Sequence, residues 1–126
     1  MRTPTPHLAL LLILLTILFT VIGQVLVKQG SVEVGHSPSQ LREVPAFLGR
    51  AFTNWHVLLG LAAAGVAAGA WVAALSRSKL SFAYPFMGLA IVLVLAISGR
   101  MLGEEVPLTR WLGVGIVCIG ILVAAR

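Results

Sequence analysis

Four apolar runs set the pattern of the chain: Leu8–Val27, Val57–Leu75, Leu80–Gly99 and Trp111–Ala125. A membrane span needs roughly 20 residues at about 1.5 Å of rise each. The first three runs meet that length. The fourth meets it only if it reaches back through Thr109 and Leu108, with Arg110 and Arg126 stretching to the two surfaces. In lipid each run must be helical, because an open strand leaves backbone groups unpaired. The pattern therefore predicts an all-α integral membrane protein. It forms one domain over 1–126, with four transmembrane helices at about 8–27, 57–75, 80–99 and 109–125. A secretory signal peptide after Arg2 is the competing reading of the first run. It is disfavoured by the length of the run and by the absence of a small-x-small cleavage site after it.

The connections differ in character. Arg77-Ser78-Lys79 is a tight turn, and Arg100 to Arg110 is a short loop containing Glu104, Glu105 and Pro107. The segment from Lys28 to His56 has a pattern of its own. Ser37-Pro38-Ser39-Gln40 reads as a capping box with proline at the first helical position. Leu41, Val44, Phe47, Leu48, Ala51 and Phe52 then recur at helical spacing, while Arg42, Glu43 and Arg50 face elsewhere. This predicts an amphipathic helix over about 38–52 lying in the membrane interface, as a lid or as a plain linker. Trp55 and His56 mark the next water–lipid boundary.

Composition narrows the picture further. Hydrophobic residues make up 59% of the chain and charged ones only 10%, against about a quarter charged in a soluble domain. The mean hydropathy is +1.02. The net charge of +5 comes from nine Lys and Arg scattered singly between apolar runs, so no basic patch exists for nucleic acid. These residues also leave orientation undecided. Arg2, Arg77, Lys79 and Arg126 fall on the side of the termini, and Lys28, Arg42, Arg50, Arg100 and Arg110 on the other, four against five. The single cysteine, Cys118, lies in an apolar run and has no partner for an internal disulfide.

No ionisable residue lies in the middle of any run, whereas proton-coupled pumps ordinarily carry one there. The interior polar groups are mild. Thr16, Thr20 and Gln24 recur every four residues in the first run, and Lys28 continues the series at its end. Such a stripe drifts about 40° per step yet keeps to one side of a helix. A self-satisfied threonine and a snorkelling lysine would produce the same pattern. Tyr84 beside Pro85 is the other candidate, and Pro85 removes a hydrogen bond to Ser81, loosening the first turn of the third helix. No nucleophile–base pair or metal cluster is legible, so neither catalysis nor a cofactor is expected. Small residues crowd the second run, including Gly65-x-x-x-Gly69, and Gly113, Gly115 and Gly120 recur in the fourth. Such faces permit close helix packing. Four spans enclose too little volume for a path across a bilayer, so a dimer is expected.

Three segments carry a specific resemblance. Val21-Ile22-Gly23-Gln24-Val25-Leu26-Val27-Lys28-Gln29, Ser81-Phe82-Ala83-Tyr84-Pro85-Phe86, and Leu102-Gly103-Glu104 followed by Trp111-Leu112-Gly113 resemble the drug/metabolite transporter superfamily in its four-helix small multidrug resistance and EamA-like branch. Within that branch the chain most resembles the subunits of the aminoarabinose–undecaprenyl phosphate flippase. The resemblance covers the chain except Glu33 to Asn54. Two departures separate it from the drug exporters. Thr20 stands where those carry a membrane-embedded glutamate, and Met87 where they carry a tryptophan three residues after the tyrosine.

The resemblance implies translocation of a polyprenyl-phosphate-linked (amino)sugar, or of the bare carrier lipid, across a bacterial inner membrane. It also implies a homodimer, or a heterodimer with a homologous four-helix subunit. An anionic phosphate wants Lys or Arg, and Lys28 and Arg100 end spans one and three on the same side. An amino sugar wants a carboxylate, and Glu104 and Glu105 follow Arg100 closely. The expected substrate-binding set is thus Thr20, Gln24, Lys28, Tyr84, Arg100, Glu104 and Glu105. Two alternatives stay open at this stage: an exporter of cationic compounds, and a non-transporting accessory subunit of a larger membrane complex.

Overall fold

The computed structural model describes residues 6–35, 37–124 and 126, so Arg2 and Ala125, which entered the orientation count and the end of the fourth run, lie outside the described residues. Among the described residues the secondary structure is helical throughout, without a strand. In order it comprises α1 (Pro6–Glu33), a 3₁₀ turn (Leu41–Glu43), α2 (Val44–Ala51), α3 (Trp55–Leu75), α4 (Leu80–Phe86), α5 (Gly88–Met101) and α6 (Leu108–Ala124). Three stretches are long and apolar enough to cross a membrane: His7–Glu33, Trp55–Leu75 and Leu80–Met101. The 17 residues of α6 rise about 26 Å, a few ångströms short of a hydrocarbon core of about 30 Å.

Helix α1 runs well beyond the expected end at Val27. Lys28, Gln29, Ser31 and Glu33 end the hydrophobic run, but nothing in them breaks a helix. The chain leaves the helix only where Gly35 adopts φ +93° and its N–H reaches the Val32 carbonyl at 3.2 Å. Lys28 therefore projects from a continuous helix, more than a turn before its end.

Around α1 the rest is assembled. Ile13, Ile17 and Val21 are buried against Ala74, Ala83 and Ala90, with Trp71, Phe86 and Val94 packed around them. The crossing with α3 is close because it is built on glycine. A Cβ on Gly23 would sit 2.9 Å from the Gly60 carbonyl oxygen, and one on Gly60 2.8 Å from that of Gly23. The Gly65-x-x-x-Gly69 pair has no such role, since a Cβ on either residue meets nothing within 4 Å. Helix α3 opens with Asn54 as its cap, its side-chain oxygen accepting the N–H groups of His56 at 2.9 Å and Val57 at 3.3 Å.

The third run is broken in two. Pro85 has no N–H to offer, and the break follows at Met87, whose N–H reaches the Tyr84 carbonyl at 3.0 Å in a tightened turn. The first connection also differs from expectation. Its α-helix begins at Val44, not at Pro38, because Pro45 fits only the first turn. Ser39 instead donates its N–H (2.9 Å) and hydroxyl (3.1 Å) to Glu43, and these bonds hold the Glu43 carboxyl below its ordinary range. Leu41, Leu48 and Phe52 stay exposed on this segment.

Helix α6 leans on α4 and α5 and has no buried residue. Its apolar side chains stand open, with Ile116 at 71% and Leu122 at 69% exposure, and Gly113, Gly115 and Gly120 meet nothing within 4 Å. An apolar face this large needs lipid or protein against it.

Candidate functional site

The stripe on α1 lies between two grooves. Thr16, at its inner end, is 3% exposed and donates its hydroxyl to the Leu12 carbonyl at 2.8 Å. That satisfies it within the helix, as a threonine in a span commonly does. Thr20 is half-buried, whereas Gln24 and Lys28 are exposed. Thr20 and Gln24 line both grooves. One, of about 460 Å³, runs between α1, α3 and α4, with Ala64, Ala68, Trp71 and Tyr84 on its walls. The other, of about 540 Å³, runs between α1, α5 and the start of α6, and ends in Lys28, Glu104 and Arg110.

At the mouth of the second groove Lys28 Nζ stands 3.3 Å from Glu104 Oε1. Both side chains are substantially exposed, at 50% and 40%, so the pair contributes at most about 1 kcal/mol and exchanges readily. The loop that presents Glu104 is shaped by its backbone. Gly103 adopts φ +64°, a conformation suited to glycine, and the Glu104 N–H donates to the Ser98 carbonyl at 3.2 Å. Ser98 is itself buried, with its hydroxyl bonded to the Leu95 carbonyl at 3.0 Å.

Of the seven residues expected from sequence, five come together. Thr20, Gln24, Lys28 and Glu104 line the second groove, and Tyr84 shares the first with Thr20 and Gln24. Arg100 and Glu105 are exposed and line neither groove. Of the expected group of Lys28, Arg100, Glu104 and Glu105, the structure pairs Lys28 with Glu104. Helix α5 continues to Met101, and the turn at Gly103 presents Glu104 to Lys28.

Two residues went unrecognised. Arg110, which the sequence pattern presents as a snorkelling helix end, lines the same groove as Lys28. The signal is the six-position spacing between Glu104 and Arg110, too short to separate them far. Trp71 is the lone aromatic in an alanine-rich stretch. It packs edge-on to Tyr84 with ring centroids 5.9 Å apart, and Met87 lines the same cavity.

A second polar cluster joins the end of α1 to the start of α3. His56 Nδ1 lies 2.8 Å from Glu33 Oε2, and Asn54 donates to the same oxygen at 3.1 Å. Since a carboxylate only accepts, Nδ1 carries the proton. Among the described residues no three His, Cys, Asp or Glu side chains converge as metal ligands would.

The grooves therefore offer two cations and one carboxylate at a mouth, followed inward by an amide, a hydroxyl and a phenol. A headgroup bearing both an anion and an amine matches that order of groups.

Comparison with known proteins gives one consistent set of relatives. The chain is 34% identical to a protein of Aeromonas hydrophila over 90% of this chain and 93% of that one. It is 32% identical to one of Aeromonas salmonicida over the same shares, and 31% identical to one of Yersinia pestis over 89% of this chain and 91% of the other. All three bear the name "probable 4-amino-4-deoxy-L-arabinose-phosphoundecaprenol flippase subunit ArnE". No family model matches the chain. No solved structure matches it either.

Proposed function

The chain belongs to the ArnE family of flippase subunits, and from that premise we propose that it carries the headgroup of a polyprenyl-phosphate-linked amino sugar across a bacterial inner membrane. It is a multi-pass membrane protein, and its relatives are named as transport subunits, not enzymes. In this reading all four apolar stretches span the bilayer and α2 lies in the interface with Leu41, Leu48 and Phe52 toward the lipid. A homologous four-helix subunit covers the open face of α6, where Gly113, Gly115 and Gly120 permit close approach.

The observation that carries the proposal is the Lys28–Glu104 pair at the mouth of a groove that leads to Gln24 and Thr20. A zwitterionic headgroup can exchange into this pair. Its phosphate takes Lys28 and Arg110, and its ammonium group takes the released Glu104. Because the pair is exposed and weak, the exchange costs little. Gln24 and Thr20 then offer hydrogen bonds one and two turns deeper, about 6 and 12 Å along α1, and Tyr84 borders the adjoining groove that these two residues share. The hydrocarbon chain stays at the depth of the bilayer throughout.

A reconstituted flipping assay tests this. Proteoliposomes holding the chain with a four-helix companion should move the amino headgroup to the opposite leaflet, read by a membrane-impermeant amine reagent. The chain alone should move little. If no companion supports crossing, or if the vesicles extrude cationic dyes instead, the proposal fails.

A further inference from the structure

The groove between α1, α3 and α4 continues inward from the headgroup path, and its lining changes character there. We propose that it is a seat for the prenyl chain, holding the first few isoprene units next to the phosphate. This rests on the reading of the polar mouth given above. The two grooves meet at Thr20 and Gln24. A molecule whose phosphate lies between Lys28 and Gln24 therefore reaches the groove between α1, α3 and α4 within a single helical turn, about 6 Å.

Past Thr20 and Gln24 the walls are mainly hydrocarbon, with Ala64, Ala67, Ala68 and Met87 leading to Trp71, and the hydroxyl of Thr16 there is already bonded to the Leu12 carbonyl. Gly23 and Gly60 bring the α1 and α3 backbones together, so the floor is shallow and free of protruding side chains. In lipid such a trough gains no hydrophobic driving force and binds by shape alone. The flat, branched units of a prenyl chain suit it, with the indole of Trp71 and the ring of Tyr84 as its end wall. Its volume, about 460 Å³, falls in the range of sites that hold one small organic ligand, roughly 300–1,000 Å³. A volume of this size suits the first few isoprene units of one chain. A companion helix has other glycine faces to use, at Gly65 and Gly69 and along α6, all of them open.

The test uses the full chain in lipid nanodiscs and a polyprenyl phosphate bearing a diazirine on its second isoprene unit. After photolysis the label should map to α3 between Leu61 and Trp71, or to Tyr84–Met87. Ala64 and Ala68 are exposed, so larger side chains fill the trough from its open side without disturbing the core. Ala68→Phe and Ala64→Leu should each cut labelling about tenfold, or about 1.4 kcal/mol, because the added side chain takes the space the chain needs and overpacking typically costs that much. Val72→Phe, outside the groove, should leave it unchanged. Labelling on α5 or α6, even labelling of lipid-facing positions, or unaltered labelling in both alanine variants would overturn the proposal. So would complete loss of labelling when a companion subunit is added, which would make the trough a subunit interface. Competition separates this inference from its premise. If unlabelled polyprenol displaces the probe as well as polyprenyl phosphate does, the chain seat stands and the phosphate site at Lys28 falls.

Discussion

Lys28→Ala is expected to weaken binding of polyprenyl-phosphate lipid by roughly 10- to 100-fold, since a hydrogen bond to a charged partner contributes about 1.5–3 kcal/mol. Lys28 is the cation nearest the Gln24–Thr20 path. Removing it leaves Arg110 as the remaining cation lining that groove. Lys28→Arg should retain part of the affinity, because the charge stays while the point-like ammonium is exchanged for a broader fork. Thr16→Val should have little effect, as the Thr16 hydroxyl is already bonded to the Leu12 carbonyl at 2.8 Å. Glu104 is 40% exposed, so losing its partner should not unfold the protein, and expression should be normal. Titration of the purified variants with the lipid in nanodiscs measures these differences. Wild-type affinity in Lys28→Ala would make Lys28 a snorkelling anchor and turn attention to Arg110.

Gly60→Leu is the second large effect, and it concerns the fold. The first carbon added would meet the Gly23 carbonyl oxygen at 2.8 Å and the Val27 nitrogen at 3.0 Å. Both are backbone atoms and cannot rotate away, so α1 and α3 must part. Overpacking of this kind typically costs about 1–3 kcal/mol, and here it falls on the crossing that positions the stripe. Thermal unfolding in detergent should show a marked fall in midpoint and a low yield. Gly65→Leu and Gly69→Leu should leave the isolated chain's midpoint unchanged, because a Cβ at either position meets nothing. Equal loss in all three variants would refute this assignment of the packing face.

The contrast between these glycines shows what a single sequence can disclose. A stretch such as Gly60–Ala70 presents small residues on every side, and nothing in it says which side meets a neighbour. Gly23 on α1 makes that choice, and the match appears only once the two helices cross. Length and apolarity, by contrast, are properties of one segment alone, so the four runs and their turns were legible. Pro85 announced a weak point because the missing N–H is local. Pro45 announced the start of α2 in the same way, and the serine-rich capping pattern seven residues earlier obscured it.

The site followed the same division. The Thr16–Thr20–Gln24–Lys28 stripe was readable because it lies on one helix. The partner of Lys28 was not, since Arg100, Glu104, Glu105 and Arg110 fall within eleven residues, and only the turn at Gly103 selects Glu104 from among them. Trp71 became part of the cavity through its contact with Tyr84, thirteen positions on in another helix. Contacts between elements are what a residue pattern does not record.

The most direct measurement is headgroup-resolved mass spectrometry of the lipid retained by the protein, purified with its companion from cells that make the lipid-linked amino sugar. The account predicts a polyprenyl phosphate bearing an amino sugar, enriched over the bulk membrane and lost from Lys28→Ala. Retention of bulk phospholipids alone, in the same proportions from both proteins, would contradict it.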